Sequence, residues 1–584
     1  MSAYRRLSIS LSETEVLRKR LLFCLSIISW VLITVSALYF RLFPTLINPI
    51  FSDIFIASLI FLLLLSLIVS SFIMQRFEEL ILIMPQYLVI CFFARCIRYL
   101  RISYPVLWDP YAFLVTFLNI HDFGTLEPIY SHWYPGIEGL INWPLMIIIT
   151  EYLSRIGGID YMWLFNYQQP ILGVIFFLGV YLLAYTVSKN YGISLLSGLI
   201  SSLSSHVIFY QSEYHYQGYA FIILVFLLIA LLKTCESKGK SAYRVLAVVF
   251  ITACAFSHYF SSLFILFILG SFVCIMFLTS RFNKIYPNTR LNTFKVDLPD
   301  ELFFFLLFLL VIGYHLFVFP EHIETYIQRI SFAEPYHAPV ISTAGSSGPS
   351  SVPFPTNIIH NIRLGVFILG FTSILYTIKT KKNEEIILAT ICILLISLGV
   401  FGNTLIYLEV GRIVAFYEVL IGVFAALTLF RLRDIWLKPL KKQTATTALI
   451  CIITAGIVTL TFFGGHYVPA YYFKSLDQND YYWCDNNLPD MQKYENGGLW
   501  VDRCVPEGSL ILTDGTPYFI QSAIFFWGQV PLERIRGLNP YQYNLDQNSF
   551  IASNIMGDPG LVKKQLIEQT SRVYFNGEVE ITSV

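Results

Sequence analysis

Charge is what this chain has least of. Only 13% of its 584 residues are Asp, Glu, Lys or Arg, and they cancel to a formal net charge of +1. So little charge, beside 56% hydrophobic residues and a mean hydropathy of +0.64, excludes both a soluble globular protein and a disordered one. The near-neutral balance also removes the case for nucleic-acid binding by bulk charge. A phosphate-binding GxxxxGK[ST] loop, HExxH and CxxC are all missing, so nucleotide hydrolysis and a zinc site lack their usual signatures. No internal repeat of the kind that transporters carry is evident. The segment 320–358 holds a single arginine, Arg329, where a polysaccharide polymerase or ligase would want several. The ten cysteines are scattered, and most, such as Cys24, Cys91 and Cys451, fall in apolar runs as small core residues. Only Cys484 and Cys504 lie in the polar C-terminal segment, where a disulfide is open if that segment is outside the cell.

What remains is apolar and aromatic. Runs long enough to cross a bilayer occur near 21–40, 54–74, 80–100, 163–187, 191–209, 218–232, 245–257, 260–280, 302–319, 360–378, 386–402, 407–430 and 446–464. A span needs about 20 residues, so 218–232 and 245–257 are short. The run 21–40 is too long for the core of a cleaved signal peptide and reads as a first span. The 50 Phe, 37 Tyr and 9 Trp supply interfacial belts as well as packing. The expected fold is therefore an α-helical polytopic membrane protein of about 13 transmembrane helices, with a small C-terminal α/β domain outside the cell. Residues 1–466 form the membrane part and 467–584 the external domain. In that domain Ser509–Asp514 and Ser571–Phe575 read as strands, and Pro517–Trp527 and Pro559–Thr570 as helices.

Lys and Arg set the sidedness. Arg5, Arg6, Arg18, Lys19 and Arg20 place the N-terminus in the cytoplasm. Four later clusters, Lys233 to Arg244, Arg281 to Lys295, Lys379 to Lys382 and Arg431 to Lys442, are cytoplasmic only if the short run 139–150 dips without crossing. The stretch 101–162 then becomes one external loop, with an amphipathic helix near 111–122 followed by the dipping helix. A second external loop, 320–358, is rich in Gly, Ser and Pro over 334–356 and is expected to be mobile. Arg95, Arg98 and Arg101 break the rule by lying on the outer side, which makes Arg95 and Arg98 candidates for an anionic headgroup.

This arrangement collects titratable residues on the outer face. Asp109, in Trp108-Asp109-Pro110, is presented from an extended backbone by the proline; it is either a cap for the following helix or a site acid. Glu213 and His215 lie in Gln211-Ser212-Glu213-Tyr214-His215-Tyr216-Gln217, a connection with none of the usual turn residues. They could join Asp109 around a metal or a pyranose, or anchor an interface. His258 and Tyr259 break two apolar runs. Glu409 and Arg412, three residues apart on one helical face, either pair with each other or leave Arg412 to grip a phosphate. Further acids and aromatics lie at His121-Asp122, Glu127, His132-Trp133-Tyr134 and Glu138, in the first loop. An ionisable group at the edge of the hydrocarbon is costly unless solvated or paired.

In layout the chain resembles the GT-C superfamily of integral-membrane glycosyltransferases. The resemblance rests on about a dozen spans, an acid in a large first external loop (Asp109) and a second acid in a later external turn (Glu213). It also rests on a polar break with His (His258-Tyr259), an Arg on a late span (Arg412) and an external α/β domain introduced by Val505-Pro506-Glu507-Gly508-Ser509-Leu510-Ile511-Leu512-Thr513-Asp514. The Trp-Trp-Asp-Tyr-Gly motif of oligosaccharyltransferases is missing, and the first-loop acid is a single Asp. The resemblance implies an inverting transfer from a polyprenyl- or dolichyl-phosphate sugar to a glycan, lipid or protein acceptor. Asp109 would be the general base and Arg412, with Arg95 or Arg98, would steady the departing phosphate. Glu213 and His258 would bind the acceptor or a divalent cation (Mg or Mn, with Asp109 and Glu213 as ligands), with Glu409, Tyr259 and His215 lining the site. The runner-up reading is a transporter or flippase of lipid-linked sugars.

Overall fold

A computed structural model describes residues 2–42, 50–101, 144–212, 214–234, 240–257, 410–436 and 443–474. It also describes five strands between 510 and 583 and isolated residues or short stretches within 113–124, 268–271, 305–313, 370–374, 385–393 and 500–505. Eleven helices are continuous in these residues: α1 (Ser2–Leu42), α2 (Ile50–Ile73), α3 (Phe77–Arg101), α4 (Leu145–Arg155), α5 (Tyr161–Ser188), α6 (Tyr191–Ser202), α7 (Ser205–Gln211), α8 (Tyr216–Thr234), α9 (Lys240–Ala255), α10 (Val410–Trp436) and α11 (Gln443–Lys474). The chain divides into two units, Met1–Arg101 with Tyr167–Val468, and Ile102–Asn166 with Pro469–Val584.

The first unit is a helical membrane bundle. Among the described residues, five stretches are long and apolar enough to cross a bilayer: Glu15–Tyr39, Phe55–Ile73, Phe77–Ile97, Trp163–Ser188 and Tyr216–Thr234. The run 218–232, short in the sequence, is extended by polar ends to the 19 residues of α8. The run 191–209 is not one span. It breaks at Leu203-Ser204 into α6 and α7, with Ser204 in an extended conformation (φ −69°, ψ 146°). The cause lies in Ser201-Ser202-Leu203-Ser204-Ser205, since serine hydroxyls compete with the helical ladder. Two of them are bonded to other helices here: Ser201 Oγ donates to the Val419 carbonyl of α10 at 2.9 Å, and Ser205 Oγ to the Thr461 carbonyl of α11 at 3.0 Å.

Basic residues mark one end of this bundle. Arg18 of α1 donates to Glu79 of α3 at 2.6 Å and also to Gln75; Glu79 in turn accepts the backbone N–H groups of Gln75 and Arg76 at 2.9 and 3.2 Å. Arg76 pairs with Glu15 at 2.7 Å. At the same end Phe430 of α10 stacks on Phe72 at 4.5 Å, and Arg433 donates to the Phe72 carbonyl at 3.3 Å. Arg431 pairs with the buried Glu385 at 2.5 Å. α8 runs parallel to α5, with Phe221 beside Phe176 and Val225 against Gly179, so it too closes at this end, with Lys233. Helix contacts lean on small residues, as they do in lipid, where no hydrophobic force drives helices together. α6 buries Ser194, Ser197, Gly198 and Ser201.

In the second unit α4 has 11 residues. That is about 16 Å of helix against a hydrocarbon core of about 30 Å, too short to cross. Helical Phe113, Thr116 and Phe117 are buried at i, i+3, i+4 spacing, the signature of one apolar face. The C-terminal segment forms a five-stranded sheet from β1 (Leu510–Thr513), β2 (Ile535–Gly537), β3 (Ser549–Asn554), β4 (Ser571–Phe575) and β5 (Val579–Ser583), ordered β2-β1-β3-β5-β4. β1 is parallel to β2 and β3, and β5 is antiparallel to β3 and β4. The strands expected at Ser509–Asp514 and Ser571–Phe575 are β1 and β4. The helices expected at 517–527 and 559–570 lie outside the described residues. Cys504 is exposed with a free thiol, and Cys484 lies outside the described residues.

Candidate functional site

Away from the basic end, α3, α6, α7, α8 and α10 enclose a group of polar side chains. Its first part is built on Arg95. From Phe77 to Arg95 α3 rises about 27 Å, close to the full hydrocarbon thickness. Arg95 is fully buried. Its Nε and Nη2 both donate to Gln211 Oε1 (3.0 and 2.5 Å), Nη1 to the Cys91 carbonyl (2.7 Å) and Nη2 also to the Ser202 carbonyl (3.1 Å). Gly173 of α5 makes room for it, because a Cβ there would collide with the guanidinium. Gln211 continues to the Gly218 carbonyl at 3.4 Å. Beside it Gln169 donates to the His215 carbonyl at 2.6 Å, and His215 Nδ1 accepts the Gln217 backbone N–H at 3.1 Å. The His215 ring lies between Tyr210 (5.1 Å) and Tyr216 (4.4 Å).

The second part joins α7 to α10. Glu418 Oε1 meets His206 Nδ1 at 2.9 Å, and Glu418 Oε2 accepts the His206 backbone N–H at 3.3 Å. The first N–H groups of a helix have no partner inside it, and a carboxylate there is favoured by the helix dipole. Glu418 therefore serves α7 as a cap supplied by another helix. With Nδ1–H donating to the carboxylate, Nε2 is left as the acceptor. It is buried and has no protein partner, and the same holds for Ser204 Oγ and both amide atoms of Gln217. An unpaired buried polar group costs about 1–3 kcal/mol, so these atoms call for a partner that the protein itself does not supply.

Of the residues singled out from sequence, the structure brings Arg95 and His215 into this group. Arg95 was expected to face an anionic headgroup. It is instead enclosed, because Gln211 and two carbonyls take up its fork from inside the bundle. Arg98 lies on α3 and Arg412 on α10; their side chains are outside the described set, as are Asp109, Glu213, His258, Tyr259 and Glu409 altogether. Glu418 was not singled out, although an acid inside Phe416-Tyr417-Glu418-Val419-Leu420 is the kind of charge that a span does not carry idly. In the second unit His121 Nδ1 meets Glu151 at 3.0 Å, and Arg155 pairs with Glu151 and donates to the His121 carbonyl. This trio ties α4 to the buried face of the preceding helical stretch. Among the described residues no three His, Cys, Asp or Glu side chains gather as a metal site would require, and the proposed ligands Asp109 and Glu213 fall outside them.

Together these features define a helical membrane protein with a buried polar group that includes Arg95, His206 and Glu418. No family model matches the sequence, and no curated protein matches it. Among solved structures the chain is similar to ArnT from Cupriavidus metallidurans bound to undecaprenyl phosphate, with a TM-score of 0.45 and 8% identity over 75% of this chain and 87% of that one. Against ArnT from the same organism in the apo state the TM-score is 0.42 and the identity 10%, with the same coverage.

Proposed function

We propose that this chain is an integral-membrane glycosyltransferase of the cell membrane. It would move a sugar from a polyprenyl-phosphate donor to an extracytoplasmic glycan, lipid or protein acceptor, with inversion. The observation that carries the reading is the enclosed polar group at the end of the bundle opposite Arg18, Arg431 and Arg433, where the positive-inside rule puts the outer face. In this reading Asp109 is the general base, taking the proton of the acceptor hydroxyl as its oxygen attacks the anomeric carbon. The glycosidic oxygen leaves with the lipid phosphate, whose charge Arg412 and Arg98 steady. Glu213 and His258 orient the acceptor. Should a divalent cation take part, Asp109 and Glu213 would hold it, and it would supply charge neutralisation at the phosphate. A general base is worth about 10²–10⁴-fold, so Asp109→Asn should cut transfer by at least 100-fold in membranes supplied with a panel of polyprenyl-phosphate sugars. Equal turnover in wild type and variant would end the role given to Asp109.

One observation favours a second reading. The α6–α7 break lies beside Arg95 and Glu418, and discontinuous helices next to buried charge are a device of transporters. Translocation of a fluorescent lipid-linked sugar across reconstituted vesicles, without any transfer product, would select a flippase.

A further inference from the structure

The mechanism above makes no use of His206 and Glu418, yet these two side chains are 5% and 9% exposed and directly paired. Glu418 holds one residue by two points, Nδ1 at 2.9 Å and the backbone N–H at 3.3 Å. When the neutral ring turns Nδ1–H to the carboxylate its tautomer is set, and Nε2 is left buried without a protein partner. A ring clamped in this way is a recognition element whose free atom has a defined direction and a defined role as acceptor.

We propose that His206 Nε2 receives a hydroxyl of the transferred sugar, so that the His206–Glu418 pair is a sugar-recognising element of the same site; this rests on the glycosyltransferase reading. The choice of a hydroxyl follows from elimination. A phosphate would meet a lone pair backed by a carboxylate, and like charges so close are unfavourable. An apolar group would leave Nε2 unpaired. A hydroxyl donates to Nε2 and still accepts from a neighbour. The other unpartnered atoms of the stretch, Ser204 Oγ and the Gln217 amide, are uncharged donors and acceptors of the kind that a polyhydroxyl ligand satisfies. Arg95 offers no competing anion site, since its fork is occupied by neutral oxygens of Gln211, Cys91 and Ser202.

The test uses the full-length protein in detergent or nanodiscs and compares binding of a polyprenyl-phosphate hexose with that of bare polyprenyl phosphate. His206→Asn keeps an amide for Glu418 where Nδ1 stood and has nothing at Nε2. Wild type should prefer the sugar-bearing lipid. His206→Asn should lose about tenfold in affinity for that lipid, the scale of one hydrogen bond, and nothing for the bare lipid. Ser204→Ala, which removes a hydroxyl that makes no capping bond, should lose a few-fold in the same sense. A loss seen only with soluble oligosaccharides would overturn the assignment to the transferred sugar. Unchanged binding of the sugar-bearing lipid and of oligosaccharides in His206→Asn would overturn the proposal, as would a wild type blind to the sugar. If His206→Asn does not yield folded protein, unchanged affinity in Ser204→Ala decides against it equally. Sugar discrimination in a wild type that transfers no sugar would sink the glycosyltransferase reading and leave the contact standing.

Discussion

Arg95 poses the sharpest energetic question among the single residues. Its hydrogen bonds all go to neutral oxygens, the Gln211 amide and two carbonyls. A buried cation carries a desolvation penalty of several kcal/mol, which the fork offsets by meeting acceptors on α3, α6 and α7 at once. The two obvious substitutions separate these effects. Lysine keeps the penalty and loses the planar fork. Methionine removes the penalty and loses the bonds. Arg95→Lys, which keeps a desolvation penalty of several kcal/mol with fewer bonds to offset it, should therefore be the less stable of the two. Thermal unfolding of the purified protein in detergent measures the order. A methionine variant less stable than the lysine variant would show that the positive charge itself is required. At this scale the sequence was readable only in part. Arg95 and His215 stood out because they are polar residues at the ends of apolar runs. Glu418 did not, because one acid in a 27-residue helix barely lowers the mean hydropathy and its partner His206 is far away in sequence.

Between elements, the packing of α6 against α10 depends on side chains that are nearly missing. A Cβ on Gly422 would strike the Ser201 hydroxyl and backbone, and Ser201 is the residue whose hydroxyl reaches the Val419 carbonyl. Overpacking such a contact costs about 1–3 kcal/mol, and more where backbone rather than a flexible side chain must move. Gly422→Leu should lower the melting temperature and the yield of monodisperse protein. Gly456 of α11, which has open space around its Cβ position, serves as the control, and Gly456→Leu should leave both unchanged. Equal damage from the two would mean that leucine fails for a reason other than contact with α6. Among the described helices, α2, α3, α5 and α8 were legible within a few residues, since an apolar run of span length has few alternatives in lipid. The α6–α7 break was not. A hydropathy window averages across Ser201 to Ser205, and serines in a span equally well signal close helix packing. Only the positions of Val419 and Thr461, distant in sequence, decide which way those hydroxyls turn. Two of the five strands were legible, β1 and β4, as short apolar runs beside turn residues, while β2, with three residues, is too short to leave a pattern.

Across the whole bundle, the arrangement of charge is what ties sidedness to function. Arg18, Arg76, Arg431 and Arg433 come together at one end through specific bonds to Glu79, Glu15, Glu385 and the Phe72 carbonyl. The sequence assigned Arg18 and Arg431 to the cytoplasm on counting alone, and only by treating 139–150 as a run that does not cross. The helix described there, α4, covers Leu145–Arg155 rather than 139–150. If the basic end is cytoplasmic, the enclosed group around Arg95, His206 and Glu418 opens towards the outside, where Asp109 is expected. Two positions test this directly. Arg41, exposed near the end of α1, is about 35 Å of helix away from Arg18. Ser188, partly exposed, closes α5 beside the Tyr185–Tyr191 stack at the basic end. In a background with the native cysteines replaced, Arg41→Cys should react with a membrane-impermeant maleimide added to intact cells, and Ser188→Cys should react only after the cells are opened. The reverse pattern would place the polar group in the cytoplasm and remove the external lipid-linked donor with it. Reaction of both from the same side would mean that α1 and α5 do not cross the membrane as paired spans.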